Sequence, residues 1–370
     1  AWFWLVAQGF VAWLPAYTVS DLGASPSVGV GLAALFALGI AWGSWAVHRL
    51  SGGWLELGIV PLGTLGISLF GLDLGLLAAH PARVAVDLFG VAASAAFLAV
   101  PLHTAVLSWT MADQRGRVVA AGNAIAALGM AAGAVIFAAL AARGWSVGRI
   151  WTGLAVANLL VAAVIYRTAP EFLLRFLSWV LGSVLYRVEV TGADHVPRDG
   201  PAVLVCNHVT YIDWLVLMGA VRRPARFVMY KGFFDLPVAG ILFRQAGVIP
   251  IAGAKEDPEM LERAMDAVSA TLQAGGVVAI FPEGSLTSDG EIQTFRPGIE
   301  RIVARDPVVV VPMALDGLWG SMFSRKGGKA FRKPVPRGVR SRVRVAIGAP
   351  IPPGEVTAGG LQQVVTSLRG

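Results

Sequence analysis

The chain has 370 residues, of which 56% are hydrophobic and only 14% charged, and its mean hydropathy is +0.66; values this far from average usage exclude an ordinary water-soluble protein and point to lipid. A net charge of +7 and a pI of 10.0 invite nucleic acid, but base-stacking aromatics and a recognition module are lacking, so no nucleic-acid partner is expected. One cysteine, Cys206, excludes an internal disulfide, and no zinc or iron–sulfur ligand set accompanies it, so no metal site is expected.

Charge is unevenly placed. Ala1 to Tyr166 holds six Arg, no Lys and five acids, whereas Arg167 to Gly370 holds 24 basic and 18 acidic residues. Two domains in different solvents are therefore expected: an all-α transmembrane domain at 1–166, an amphipathic linker at 167–187, and an α/β domain at 188–370. The chain opens in an apolar run with no basic leader, and an upstream continuation is expected. Six stretches are long enough to span about 30 Å of hydrocarbon: Trp2 to Val19, Ser27 to Val47, Leu55 to Leu77, Arg83 to Trp109, Val118 to Ala142 and Val147 to Tyr166. Small residues, as in Ala120-Ala121-Gly122 and Gly129 to Gly133, predict close helix contacts. Trp54, Trp109 and Trp145 lie near span ends, where indole favours headgroups. Arg49, Arg115, Arg117, Arg167 and Arg175 outweigh Arg83, Arg143 and Arg149, which puts both ends of the helical half in the cytoplasm. His103, Asp87, Asn123 and Asn158 are the main polar groups within the spans; each is a transport candidate, or a bond between helices, with Asp87 and Arg83 as an interfacial pair.

Trp2-Phe3-Trp4, Leu14-Pro15-Ala16-Tyr17, Val60-Pro61-Leu62-Gly63, Val100-Pro101-Leu102 and Asp113-Gln114-Arg115-Gly116-Arg117-Val118 together resemble spans seven to twelve of a major facilitator. The resemblance is to lysophospholipid transporters that are fused to an acyltransferase in some bacteria. It implies a multi-pass protein of the bacterial inner membrane whose first six spans lie outside this chain.

Pro170 to Arg187 reads as an amphipathic helix, suited to a membrane surface or to packing on the next domain. Beyond it, apolar strands at Ala202 to Cys206, Phe227 to Tyr230, Val277 to Phe281, Val308 to Pro312 and Arg342 to Ile347 alternate with helices at Tyr211 to Val221, Pro237 to Ala246, Asp257 to Ala274 and Gly298 to Ala304. That alternation predicts a central sheet with its site at strand ends.

The first such end reads Cys206-Asn207-His208-Val209-Thr210-Tyr211-Ile212-Asp213. His208 and Asp213 are the candidate catalytic pair: a carboxylate one helical turn on can fix the imidazole tautomer, leaving the other nitrogen to take a proton from a hydroxyl. A structural alternative has His208 capping a helix and Asp213 paired with an Arg. The second end reads Phe281-Pro282-Glu283-Gly284-Ser285-Leu286-Thr287, and its turn is expected to expose amides and a carboxylate to a polar head. Asn207, Phe281, Pro282, Glu283, Gly284, Ser285 and Thr287 are the candidate substrate contacts. Cys206, ending an apolar strand, is expected to be buried and unreactive.

Asn-His, four residues, then Asp, followed by Phe-Pro-Glu-Gly, resembles the glycerophospholipid and lysophospholipid acyltransferases over about 188–352. Gly247-Val248-Ile249-Pro250-Ile251 and Val310-Val311-Pro312-Met313-Ala314 match that family's intervening and closing blocks. The lysophosphatidic acid enzymes usually carry Thr-Arg after Pro-Glu-Gly and an Arg in the middle block; here the residues are Ser285-Leu286-Thr287 and Ala252-Gly253. With Asp316-Gly317-Leu318 and Phe323-Ser324-Arg325, the pattern looks more like the 2-acylglycerophosphoethanolamine acyltransferase type. The resemblance implies an acyl-carrier protein or CoA thioester as donor, no bound cofactor, a lysophospholipid acceptor, and in related fusions an acyl-activating ligase downstream.

Nine basic residues and no acid lie between Arg325 and Arg344, among them Arg325, Lys326, Lys329, Arg332 and Lys333. Anionic headgroups, an acidic carrier protein or plain solvent are the alternatives for this patch. Three functions stay open: a lysophosphatidylethanolamine acyltransferase, a lysophosphatidic acid acyltransferase, and a lysolipid transporter with an idle lipid-binding domain.

Overall fold

Long apolar runs become helices in the first half of the chain, because hydrocarbon offers no partner for an unpaired backbone amide. The computed structural model describes residues 2–51, 56–77, 80–169, 171–221, 223–237, 239–328, 330 and 340–370. It divides into two units, Ala1–Phe176 and Leu177–Gly370.

The first unit contains α1 (Trp2–Val11), α2 (Leu14–Ser20), α3 (Pro26–Ser51), α4 (Val60–Leu76), α5 (Pro81–Trp109), α6 (Arg115–Ala142) and α7 (Val147–Thr168). Five helices are long and apolar enough to cross a membrane: Pro26–Ser51, Leu57–Leu76, Pro81–Trp109, Arg115–Ala142 and Val147–Thr168. The sixth expected span, Trp2 to Val19, is instead two short helices joined by a turn at Ala12 and Trp13. Pro15 explains the break, since it has no amide to donate to Val11 and its ring crowds that carbonyl.

Packing in this unit follows small residues. A Cβ on Gly39 of α3 would lie 2.7 Å from the Phe89 carbonyl oxygen of α5, and one on Gly63 of α4 would lie 2.6 Å from the Leu98 amide. Ala126, Gly129, Gly133 and Phe137 form the buried stripe of α6. Gly122 faces open space and Ala120 and Ala121 are exposed, so among the described residues that triplet is not at a close helix contact. Trp151 fills the centre, fully buried, with its indole N–H donating to the Gly9 carbonyl at 3.0 Å. Asn158 joins helices as a structural group: its amide donates to the Thr64 carbonyl at 3.0 Å and to Ser68 Oγ at 2.9 Å, while Trp2 donates to its oxygen. Arg83 pairs with Asp73 at 2.6 Å, which replaces the Arg83–Asp87 pair expected from sequence. His103 and Asn123 are exposed, as are Trp109 and Trp145; Trp54 lies outside the described residues.

The expected linker helix is shorter than its sequence pattern. After α8 (Glu171–Val180), the chain makes a wide helical turn over Leu181–Leu185 and enters β1 (Tyr186–Thr191), so Tyr186 and Arg187 belong to a sheet. Pairing with a strand far along the chain overrides local helical periodicity there.

In the second unit, β1 is joined by β2 (Ala202–Cys206), β3 (Ala225–Tyr230), β4 (Ile249–Ile251), β5 (Val277–Ile280), β6 (Val309–Asp316) and β7 (Ser341–Ile347) in the order β1-β7-β6-β2-β5-β3-β4. Only β6 and β7 pair antiparallel, which makes the sheet mixed. Its helices are α9 (Asp213–Ala220), α10 (Ala239–Gln245), α11 (Pro258–Gln273), α12 (Gly298–Arg305) and α13 (Ala358–Arg369). Every residue of β2 is buried, as befits a central strand between parallel neighbours. Val203, Val268, Leu272, Ile299, Val310 and Leu361 share one core beneath α11, α12 and α13. β2 and β5 are adjacent and parallel, with Val205 opposite Ile280. Their carboxyl ends therefore lie side by side, which brings His208 and Glu283 together across 75 positions of sequence.

Candidate active site

Asn207 is the first residue past β2, and its side chain continues the ladder where the strand ends. Its amide nitrogen donates to the Leu315 carbonyl at 3.0 Å, and its oxygen accepts from the Leu315 amide at 2.7 Å. Fully buried, it clamps β2 to β6 and makes no surface for a substrate.

The clamp aims His208. Asp213 sits in the first turn of α9, completely buried, and its Oδ2 accepts from His208 Nδ1 at 2.9 Å and from the amides of Val209 and Thr210. Its Oδ1 accepts from the Thr210 hydroxyl. Four donors converge on this one carboxylate, with no Arg partner among the described residues. The imidazole stacks on the Phe281 ring, centroids 4.1 Å apart and planes inclined by 14°. Only 20% of the His208 side chain is exposed, and Nε2 makes no hydrogen bond among the described residues. A fixed Nδ1–H and a free Nε2 suit proton abstraction from a docked hydroxyl.

Glu283 departs from expectation. Its carboxylate is buried, with 3% of the residue exposed, and one oxygen accepts from the His208 amide at 2.6 Å while the other accepts from the Gln293 amide at 2.8 Å. It ties the two loops together and does not face an acceptor. Two backbone donors supply the reason: a carboxylate can satisfy both, and leaving either buried and unpaired would be costly. Pro282 and Thr287 are likewise buried. The Thr287 amide donates to the His208 carbonyl at 3.0 Å, and its hydroxyl donates to the Glu291 carbonyl at 2.7 Å. Of the substrate contacts expected from sequence, Gly284 and Ser285 are exposed and Phe281 is partly so; Asn207, Pro282, Glu283 and Thr287 support the loops. Of the turn's own amides, that of Gly284 donates to the Phe281 carbonyl and that of Thr287 to the His208 carbonyl, while those of His208, Val209 and Thr210 in the facing loop donate to carboxylates.

Burial pushes the Glu283 carboxyl above the usual glutamate range, opposed by its two amide bonds. A raised folded value means that the group's contribution to stability is full in acid and declines as pH rises through that value. Glu283→Gln keeps one good acceptor and turns an NH2 toward the other amide. It is expected to lower unfolding free energy by about 1–3 kcal/mol and to flatten this part of the pH dependence, as thermal unfolding in detergent at several pH values would measure.

Cys206 is buried, and burial, followed by the charges of Asp213 and Glu283, raises its thiol well above the ordinary range. An alkylating reagent at about pH 8 should modify it only in denaturant, and Cys206→Ala should keep transfer within a few-fold of the parent.

The segment Phe323 to Arg325 covers the histidine loop. The Tyr211 amide donates to the Phe323 carbonyl, Thr210 bridges Ser324, and Arg325 donates to the Tyr211 hydroxyl at 3.1 Å. Arg325 and Lys326 are exposed; Lys329, Arg332 and Lys333 lie outside the described residues. Arg342 and Arg344 pair with Glu189 and Asp316 within the sheet, so part of the basic run is already neutralised.

Residues 187–316 match a family model described as Acyltransferase. A chloroplastic 1-acyl-sn-glycerol-3-phosphate acyltransferase of Arabidopsis thaliana is 31% identical over 137 residues, covering 36% of this chain and 36% of that protein. The mouse 1-acyl-sn-glycerol-3-phosphate acyltransferase alpha is 27% identical over 176 residues, or 47% of this chain and 61% of that one. The chain thus spans about a third of the first relative and under two thirds of the second. The crystal structure of the 1-acyl-sn-glycerophosphate acyltransferase of Thermotoga maritima aligns at 18% identity and a TM-score of 0.41, over 56% of this chain and 90% of that chain. Residues 187–316 are thus an acyltransferase domain by this match, and His208, Asp213 and Glu283 fall inside it.

Proposed function

We propose that the chain is a membrane-bound enzyme that moves a fatty acyl group from a thioester to the free hydroxyl of a lysophospholipid. The observation that carries this is the His208–Asp213 pair, 2.9 Å apart at the end of the central strand, with Nε2 unengaged. His208 Nε2 takes the hydroxyl proton as the oxygen attacks the thioester carbonyl carbon. The tetrahedral intermediate then collapses, the carbon–sulfur bond breaks, and the imidazolium returns the proton to the departing thiolate. Asp213 stabilises the imidazolium in between. No acyl-enzyme is required, which agrees with the inert setting of Cys206.

Two observations bear on the acceptor. Relatives are named for 1-acyl-sn-glycerol 3-phosphate, which favours lysophosphatidic acid. Against this, the residues after Gly284 are Ser285, Leu286 and Thr287, with no cation among them and the last two buried. That favours a lysophospholipid bearing a larger head, lysophosphatidylethanolamine, as in the enzymes that the motifs resemble. The donor is an acyl-carrier protein or CoA thioester. The helical unit is the carboxyl half of a major facilitator that delivers the lysolipid in the bacterial inner membrane, with the acyltransferase domain cytoplasmic and an acyl-activating ligase as a fused partner. Its five long apolar helices support a membrane location.

Membranes bearing the full chain should acylate lysophosphatidylethanolamine faster than lysophosphatidic acid from an acyl-carrier-protein thioester. A reversed preference would assign the chain to phosphatidate synthesis, and transfer to neither lipid would leave a binding domain.

A further inference from the structure

The loop that supports His208 carries a cation with no counter-ion among the described residues. The segment before α12 is anchored to the Pro-Glu-Gly turn at two points: the Gln293 amide donates to Glu283, and the Arg296 amide donates to the Pro282 carbonyl at 2.9 Å. Between them Phe295 is buried in the core. Arg296 is thereby held against Gly284. A Cβ built on Gly284 would lie 2.9 Å from Cζ and Nε of Arg296 and 3.1 Å from Nη1, so a side chain there would shift the guanidinium; at φ +71° glycine also suits the backbone.

The Arg296 side chain is exposed and makes no hydrogen bond or ion pair among the described residues. Several other cations of this unit are engaged. Lys231 pairs with Glu256 and Asp257, Arg244 donates to the Phe234 carbonyl, Arg325 donates to Tyr211, and Arg369 pairs with Glu291. The acids before and after Arg296 in sequence also have partners: Glu283 binds two amides, Glu300 accepts from the Ala358 amide, and Asp289 accepts from Thr287. A guanidinium with an anchored backbone, no side-chain partner among the described residues, and a place against the residue that follows the carboxylate holding the His208 amide is a ready site for a phosphate, which its planar donors can bind in pairs.

We propose that Arg296 holds the phosphate of the acceptor lipid and so positions its hydroxyl at His208. The inference rests on the acyl-transfer reading above. In a glycerophospholipid the phosphate and the free hydroxyl are separated by two or three carbons, so one end fixed at Arg296 brings the other to the histidine.

The test uses the full chain in detergent. Arg296→Ala is expected to raise the acceptor KM about ten- to a hundredfold and to weaken calorimetric binding of a short-chain lysophospholipid by the same factor. The donor KM and the acylation of monoacylglycerol, which has no phosphate, should stay within twofold. Arg296→Lys should recover part of the loss. An unchanged acceptor KM and lipid affinity would overturn the proposal. So would a rise in the donor KM alone, which would assign Arg296 to a phosphate of the thioester carrier, or an equal loss with monoacylglycerol, which would mark a structural role. If the parent chain transfers to no acceptor, the acyl-transfer reading fails, and the binding measurement still decides whether Arg296 holds a lipid phosphate.

Discussion

His208→Ala should abolish acyl transfer, with kcat falling by about a hundred- to ten-thousandfold or more, the range for loss of a general base. The fold should survive. The His208 backbone remains bonded to Glu283 and Thr287, and Asp213 retains the amides of Val209 and Thr210 and the Thr210 hydroxyl as donors. Only the Nδ1 bond and the stack on Phe281 are lost. Thermal unfolding within a few degrees of the parent, together with dead activity, would assign the defect to chemistry. Retained transfer would remove His208 from the mechanism.

Asp213→Asn is the sharper probe, because it separates charge from shape. The asparagine oxygen can take the Oδ2 position and keep the bonds from His208 Nδ1, Val209 and Thr210, and the Thr210 hydroxyl can rotate to accept from the new NH2. The tautomer stays correct while the negative charge beside the developing imidazolium disappears. We expect kcat to fall about a hundred- to ten-thousandfold with the acceptor KM nearly unchanged, as single-turnover and steady-state rates would show. Asp213→Ala would behave differently. It strands up to four donors, each costing about 1–3 kcal/mol when buried and unpaired, and the loop or the whole domain should loosen. If the asparagine variant matched the parent in rate, Asp213 would be an organiser of the loop and not a partner in proton transfer.

Some of this was legible in residue order because it is local. His208 and Asp213 lie five positions apart, so a strand end and one turn of helix suffice to join them. The apolar runs at Ala202–Cys206 and Val277–Ile280 announce buried parallel strands, and five of the long apolar runs appear as helices of spanning length. Charge asymmetry likewise separated a lipid-like half from a mostly aqueous one.

What the tertiary structure decided was less local. β1 and β4 hid behind, respectively, an amphipathic pattern and a three-residue run containing Pro250, and each exists because a distant strand pairs with it. The role of Glu283 reversed: in sequence a carboxylate in a Pro-Glu-Gly turn reads as exposed, yet two amides from separate segments converge on it and bury it. Arg296 carried no signal at all, lying thirteen positions past Glu283 in an unremarked loop, and the folded chain alone sets it against Gly284. Residue order determines which groups are apolar, charged or able to titrate, and what neighbours along the chain can bond. Which buried donors are left seeking an acceptor, and which charges end without a partner, depends on segments far apart in sequence, because hydrogen bonds and ion pairs act over a few ångströms of space.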